Sequence, residues 1–427
     1  MTHDTSVGES PVGELPSKAL LSYGMFGLPL AMVAMPVYVQ APALYAGSFG
    51  LSLTLVGTIL LVARLLDAFS DPLLGYWMDH SAATRGYSGF VLMSLPLLVI
   101  GYLALFHPPF AITTSLVGLS YWFAGSLSLV YLGFSLATIA HNSWGANLTQ
   151  QRGTRAQLTA FREGSALMGV MIAAALPALA GMTVLSITFV IALVTTSWLL
   201  IAHAPRARTL ETSKEDWRSL LIPLRSPQFR WLLAVFALSG ISAAIPATLF
   251  LFFATDRLML PEYAGLFLVI YFASAVIALP LWTMLSKRLG EAQVWLISMV
   301  LSVIVFVWAW QLPVGALYSF VAICIFSGAA LGADLALPPA LLAGVIGSAG
   351  HSGQREGAYF GLWNWMTKMN LALAAGIALP LLEWLGYTPG RPSDNGVQAL
   401  GITYALLPCA LKLMAAMVLQ RAPLRNV

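Results

Sequence analysis

Apolar residues run along this chain in long blocks, separated by short breaks rich in charged residues, glycine or proline. The blocks fall near residues 19–45, 52–78, 87–106, 115–147, 156–180 and 183–203, and again near 229–254, 263–286, 292–311, 315–343, 357–384 and 398–420. A bilayer core needs about 20 apolar residues per helix. A helix also satisfies its own backbone polar groups where no water can reach them. The pattern predicts an all-α membrane protein with twelve transmembrane helices in two sets of six. The fourth and tenth blocks are long enough to tilt or protrude.

Composition sharpens this. Hydrophobic residues make up 59% of the chain and charged residues only 9%, with a mean hydropathy of +0.82; a soluble domain carries about 25% charged residues. The lipid bilayer is therefore the first partner. A net charge of +4 on scattered carriers does not fit a nucleic-acid partner. Cys324 and Cys409 sit far apart inside apolar blocks and read as small buried residues, not as a disulfide or metal pair. The polar, acidic stretch 1–17 lacks the basic start and short apolar core of a signal peptide and reads as a disordered cytoplasmic tail. Domain boundaries follow: a six-helix bundle over 18–204, a charged linker over 205–228, a second bundle over 229–421 and a short tail over 422–427. Within the linker, Trp217 to Leu224 has the pattern of an interfacial amphipathic helix.

The basic residues set the orientation. With the N-terminus cytoplasmic, sixteen Lys and Arg residues collect on one side and two, Arg257 and Arg391, on the other. By the positive-inside rule both termini and the central linker face the cytoplasm. Twelve helices in two halves joined by a long cytoplasmic loop is the layout of major facilitator transporters, whose solute site lies near the midplane between the halves. A monomer in a cell inner membrane is the expectation.

Ionisable groups inside the hydrocarbon cost at least about 2.5–3.5 kcal/mol each on insertion scales, so each is a candidate for function. The second block contains Arg64, Asp67 and Asp71 at spacing i, i+3, i+7, which places all three on one helix face. One Arg–Asp pair would satisfy a structural need. The second carboxylate is left unneutralised unless it binds Na⁺ or carries a proton. Pro72 frees a backbone carbonyl that could add a further oxygen ligand. Lys368, a few turns into the eleventh block, needs a partner, and the carboxylates of the second block are the obvious ones. Asp334 in the tenth block pairs with Lys412, lines the cavity or relays protons; the sequence does not choose. His141 is a weaker relay candidate, read more simply as a hydrogen-bonded interfacial histidine.

Between the second and third blocks, Gly75-Tyr76-Trp77-Met78-Asp79-His80 is followed by Arg85-Gly86. It resembles a degraded copy of the major facilitator loop motif, in which Asp79 and Arg85 would latch the cytoplasmic side. Arg152 and Arg155 are assigned to the same gating region. No nucleophile–base pair, metal-ligand cluster or phosphate-binding loop stands at a usable spacing, so neither an enzyme nor an ATP-driven pump is expected, and no cofactor beyond a coupling ion.

The stretch from Ala63 to Gly75 that holds Arg64, Asp67, Asp71 and Pro72 is similar to the second helix of the glycoside–pentoside–hexuronide cation symporters, the family of the melibiose permease. Lys368 falls on that family's eleventh-helix lysine, and Gly386-Tyr387 through Gln398 to Gly401 continues the likeness. The resemblance implies that Asp67 and Asp71 bind Na⁺, Li⁺ or H⁺. The family's sugar-binding aspartates fall instead on Ala31 and on Ala137 or Ala140. In their place this half offers Tyr121, Trp122, Tyr131, Asn142 and Trp144, with Trp363 and Asn364 in the other half, as candidates to line a solute cavity.

The leading expectation is a cation-coupled symporter, driven by Na⁺ or H⁺, for a small organic solute other than a galactoside. A lysophospholipid or amphiphile transporter on the same fold is the second. A non-transporting membrane assembly factor or sensor is the third.

Overall fold

The structure, a computed structural model, describes residues 17–148, 152–204, 217–351, 356–391 and 393–424. Eleven helices among them are long and apolar enough to cross a membrane. One, Gln157–His203, is 47 residues long and breaks at Gly181, whose φ of 84° takes it out of the helix. Counted as two, it gives twelve passes, as the apolar blocks predict.

These are α1 (Lys18–Ser48), α2 (Leu53–Met78), α3 (Gly86–Phe106), α4 (Leu116–Gly145), α5 (157–180), α6 (182–203), α7 (Pro227–Arg257), α8 (Pro261–Leu289), α9 (Glu291–Gln311), α10 (Leu317–Ser348), α11 (Gly357–Trp384) and α12 (Asp394–Arg421). A nine-residue 3₁₀ helix, Trp217–Arg225, leads into α7, where the linker pattern anticipates an interfacial helix. The loop expected after α2 is different: its backbone continues helical to Gly86 (φ 66°), and only that glycine separates α2 from α3.

The halves repeat each other. Gly86 turns α2 into α3 as Gly290 (φ 83°) turns α8 into α9, and Gly181 ends α5 as Gly386 (φ 86°) follows α11. All four hold positive φ, which costs a residue without Cβ almost nothing. α1 and α7 both end in a π turn, Ala43–Ser48 and Phe253–Arg257. Inside each bundle, glycines admit neighbouring backbones, the usual device where lipid removes the hydrophobic drive to associate. A Cβ on Gly328 or Gly332 of α10 would stand 2.2 or 2.6 Å from carbonyl oxygens of Tyr271 and Ala275 on α8.

Glycines also report which end of the molecule is closed. A Cβ on Gly57 of α2 would lie 2.9 Å from the Ala375 oxygen of α11, and one on Gly376 would lie 2.8 Å from Leu61 Cδ2. Farther out, Thr54 N donates to Glu383 Oε2 at 2.5 Å. α5 and α8 meet likewise, where a Gly265 Cβ would be 2.7 Å from Ala178 Cβ. Towards the end where α1 begins and α12 finishes, a Cβ on Gly75 of α2 or on Gly357 or Gly361 of α11 would meet nothing within 4 Å among the described residues. The close contacts between the halves thus concentrate at the far end.

Candidate functional site

A charged cluster lies at the α2–α11 seam. The helical spacing of Arg64, Asp67 and Asp71 turns all three to one side of α2, and Lys368 reaches them from α11. Its Nζ lies 2.9 Å from Asp67 Oδ2 and also pairs with Asp71 Oδ2. Arg64 stands 3.4 Å from the same Asp67 oxygen, with its guanidinium 4.4 Å above the Tyr131 ring of α4. Ser135, also on α4, donates to Asp67 Oδ1 at 2.6 Å and accepts from Lys368 Nζ at 2.9 Å. Arg64 and Asp67 are buried, at 8% and 5% exposure; the Asp71 side chain is more open, at 28%.

Two cations face two carboxylates, so the cluster is electroneutral. The Lys368 ammonium, brought from the other half to the carboxylates expected as its partners, supplies the counter-charge of the second acid. Asp71 Oδ1 and Arg64 Nε are buried without a hydrogen-bond partner. Asp71 Oδ1 is therefore left as a hard oxygen with no partner, on the carboxylate whose other oxygen holds the ammonium shared with Asp67 Oδ2 and Ser135 Oγ.

Asp334 is not part of this network: it pairs with Lys412 and lines a cavity, two of the three readings the sequence leaves open. It forms a second cluster inside the C-terminal half. Lys412 Nζ of α12 lies 2.5 Å from Asp334 Oδ2, and Trp295 Nε1 of α9 donates to Asp334 Oδ1 at 2.7 Å. Ser239 of α7 accepts from Lys412 at 2.8 Å. This cluster borders a cavity of about 390 Å³ lined by all six helices of the C-terminal half, α7 to α12, together with Tyr38 and Val39 of α1.

None of the seven residues expected to line a solute cavity lines this one. Tyr121 is 77% exposed on the outer surface. Trp122 donates to the Ala104 carbonyl at 2.8 Å and ties α4 to α3. Tyr131 lies under Arg64, within the ion cluster. Asn142 accepts from Arg162 near the termini end, and Trp144 is buried in the N-terminal bundle. Trp363 stacks on Phe236 at 3.7 Å between centroids, and Asn364 is exposed. The physical reason is common to most of them: aromatic and amide side chains in spans are spent on helix–helix contacts. The cavity residues that sequence reasoning missed, Tyr38, Asn370 and Tyr404, are neutral and carry no signal beyond a polar atom in an apolar block.

His141 is buried and hydrogen-bonded. Its Nε2 is 2.9 Å from the Tyr23 carbonyl, while the Tyr23 hydroxyl donates to the His141 carbonyl at 3.0 Å. The pair staples α1 to α4. The side chains of Asp79, Arg85, Arg152 and Arg155 lie outside the described residues.

Residues 20–426 match the family described as MFS/sugar transport protein. The "Putative sulfoquinovose importer" of Escherichia coli K12 is 25% identical over 404 residues, spanning 88% of this chain and 84% of that one. The "Isoprimeverose transporter" of Lactiplantibacillus pentosus is 26% identical over 282 residues, spanning 61% and 57%. Among solved structures, the nucleoside transporter NupG superposes with a TM-score of 0.70 at 13% identity, over 95% of this chain and 99% of that one. A bacterial homologue of the iron transporter ferroportin in its inward-facing state gives 0.67 at 18% identity, over 95% and 98%. These likenesses extend the major facilitator fold over nearly the whole chain. The chain belongs to the MFS/sugar transport protein family, the glycoside–pentoside–hexuronide symporters, and is a multi-pass membrane transporter rather than an enzyme.

Proposed function

We propose that this protein is a cation-coupled symporter for a sugar or glycoside, resident in a bacterial inner membrane with both termini cytoplasmic. The observation that carries the reading is the Lys368 bridge from α11 to Asp67 and Asp71 of α2. Ion pairs inside a membrane are costly, and a buried pair is weak evidence of added stability. A pair that crosses the seam between moving halves is suited to a switch. Na⁺ or H⁺ arriving at Asp71 competes with the ammonium, loosens the bridge and changes the balance between the two access states. When the cation leaves towards the cytoplasm, Lys368 takes its place. The empty carrier then reorients without an uncompensated buried charge.

The galactoside-type site of the family has no acids here, since Ala31, Ala137 and Ala140 stand at those positions. The cavity beside Asp334 and Lys412 supports a solute site in the C-terminal half instead.

Thermal stability of the protein in lipid nanodiscs, titrated with Na⁺ and across pH, tests the cation assignment without knowledge of the solute. A ligand at 100 times its Kd stabilises the folded state by about 2.7 kcal/mol. The wild type is expected to respond to Na⁺ or to protons, and Asp67→Asn and Asp71→Asn to lose that response. An undiminished response in both variants would contradict the assignment.

A further inference from the structure

The 390 Å³ cavity is polar at one end and aromatic at the other. Asp334 and Phe320 both line it from α10 and stand fourteen positions apart on one helix, or about 21 Å at 1.5 Å per residue. At the Phe320 end the wall includes Phe250, Phe306 and Tyr404. Hydroxyls along the middle are already spent on backbone carbonyls: Ser242 on Pro408 at 2.8 Å and Ser327 on Ile323 at 2.6 Å. At the polar end, Asn370 is 4% exposed and its Oδ1 has no partner. Its position is fixed by Gly240, where a Cβ would lie 1.9 Å from Asn370 Nδ2.

We infer that this cavity binds a neutral glycoside with an extended apolar aglycone, its sugar at Asp334, Lys412 and Asn370 and its aglycone along Phe250, Phe306 and Phe320. The charges fix the headgroup. Asp334 and Lys412 cancel, so a net charge on the ligand would go uncompensated. The orphan Asn370 oxygen asks for a donor; beyond Trp295 and Lys412 the carboxylate can still accept, and beyond Asp334 and Ser239 the ammonium keeps a third N–H, and vicinal hydroxyls serve all three. The aromatic stretch disfavours a second sugar ring, whose hydroxyls would lose their hydration there without replacement. Thr367, Asn370 and Leu371 line the cavity from α11, the helix that carries Lys368, so the ligand and the cation act on one helix. This inference rests on the transporter reading above.

Calorimetry in nanodiscs tests it; nanodiscs are needed because sugar-headed detergents belong to the proposed ligand class. The probes are free hexoses and pentoses, their 4-nitrophenyl glycosides, short n-alkyl glucosides below micelle formation, 4-nitrophenol, and lysophosphatidylcholine. At least one glycoside is expected to bind ten-fold or more tighter than its free sugar, tightening about four-fold per added methylene, with 4-nitrophenol alone not binding. Asn370→Ala and Asp334→Asn should each weaken it ten-fold or more, and Phe306→Ala should flatten the chain-length dependence. Asn370→Ala removes no charge, so the test survives a failure of Asp334→Asn to fold. Free sugars binding as tightly as glycosides, no binding by any glycoside, binding unchanged in these variants, or lysophosphatidylcholine binding tighter than every glycoside would each overturn the inference. The response to Na⁺ and pH is recorded on the same samples without glycoside. If it persists while glycosides fail, this inference falls alone; if glycosides bind and the ion response is absent, only the cation reading falls.

Discussion

Replacing Lys368 with methionine should make the protein bind its coupling ion more tightly and use it less well. In the wild type the ammonium already sits on Asp67, at 2.9 Å, and on Asp71. An arriving cation must displace it. At an effective dielectric near 20, one contact at that distance carries a gross attraction of about 6 kcal/mol. Most of that is offset by the cost of holding the ammonium away from water, since the side chain is only 15% exposed. A remainder of about 1.4–2.7 kcal/mol is a 10- to 100-fold handicap on cation affinity. Methionine keeps the length of the side chain and removes the competitor, leaving Arg64 alone against two carboxylates. The assay is the midpoint of the Na⁺ or pH titration of thermal stability in nanodiscs, read beside gradient-driven solute uptake. The midpoint should move 10- to 100-fold towards tighter binding while uptake against a gradient collapses, because cation occupancy no longer makes or breaks a bond between the halves. A midpoint that stays put or weakens, or accumulation at the wild-type level, would refute this account of Lys368.

Further outcomes follow from close contacts. Gly57→Val places methyl groups where a Cβ is already 2.9 Å from the Ala375 oxygen, so the far-end seal should fail and transport drop at least about ten-fold. Cysteines placed beside Thr54 should then become reachable by impermeant reagents from that side; unchanged labelling would show that the seal does not depend on this contact. Gly145→Ala sets a Cβ 2.0 Å from the Tyr23 hydroxyl and should cost about 1–3 kcal/mol of stability. Tyr23→Phe in the same chain should recover part of that loss, and a melting temperature unmoved by Gly145→Ala would be inconsistent with the Tyr23–His141 staple. Ser135→Ala removes the hydroxyl shared by Asp67 and Lys368. With a hydrogen bond worth about 1 kcal/mol, cation affinity should change about five-fold in a stability titration, and no change would exclude Ser135 from the ion site.

The ion cluster was legible in the sequence because membrane spans tolerate so few charges. Arg64, Asp67 and Asp71 share a face by spacing alone, and Lys368 was their natural partner from the opposite half. What spacing does not give is the charge balance, which depended on one ammonium reaching both carboxylates. Asp334 illustrates the limit: its pairing with Lys412 was one of three open readings, settled only when α10 and α12 came together beside Ser239 and Trp295. The twelve passes were readable because hydrophobic length fixes them, and even the break near 181 showed as a boundary between apolar blocks. The solute cavity was not readable. In a span, a tyrosine or phenylalanine facing lipid, such as Tyr121, and one facing a cavity, such as Tyr404, have the same composition and the same neighbours in sequence. Only packing separates them. The continuation of α2 through residues 79–85 was hidden for a different reason, since its polar residues read as a loop while its backbone remains helical up to Gly86.

Uptake into proteoliposomes under an imposed Na⁺ or H⁺ gradient, with the glycoside that binds tightest in calorimetry as solute, tests the coupling most directly. Wild-type protein should accumulate the glycoside above its external concentration only while the gradient lasts. Asp71→Asn, reconstituted to the same level, should at best equilibrate it. Accumulation that ignores both gradients, or that persists in Asp71→Asn, would contradict coupling through the Asp67–Asp71–Lys368 cluster.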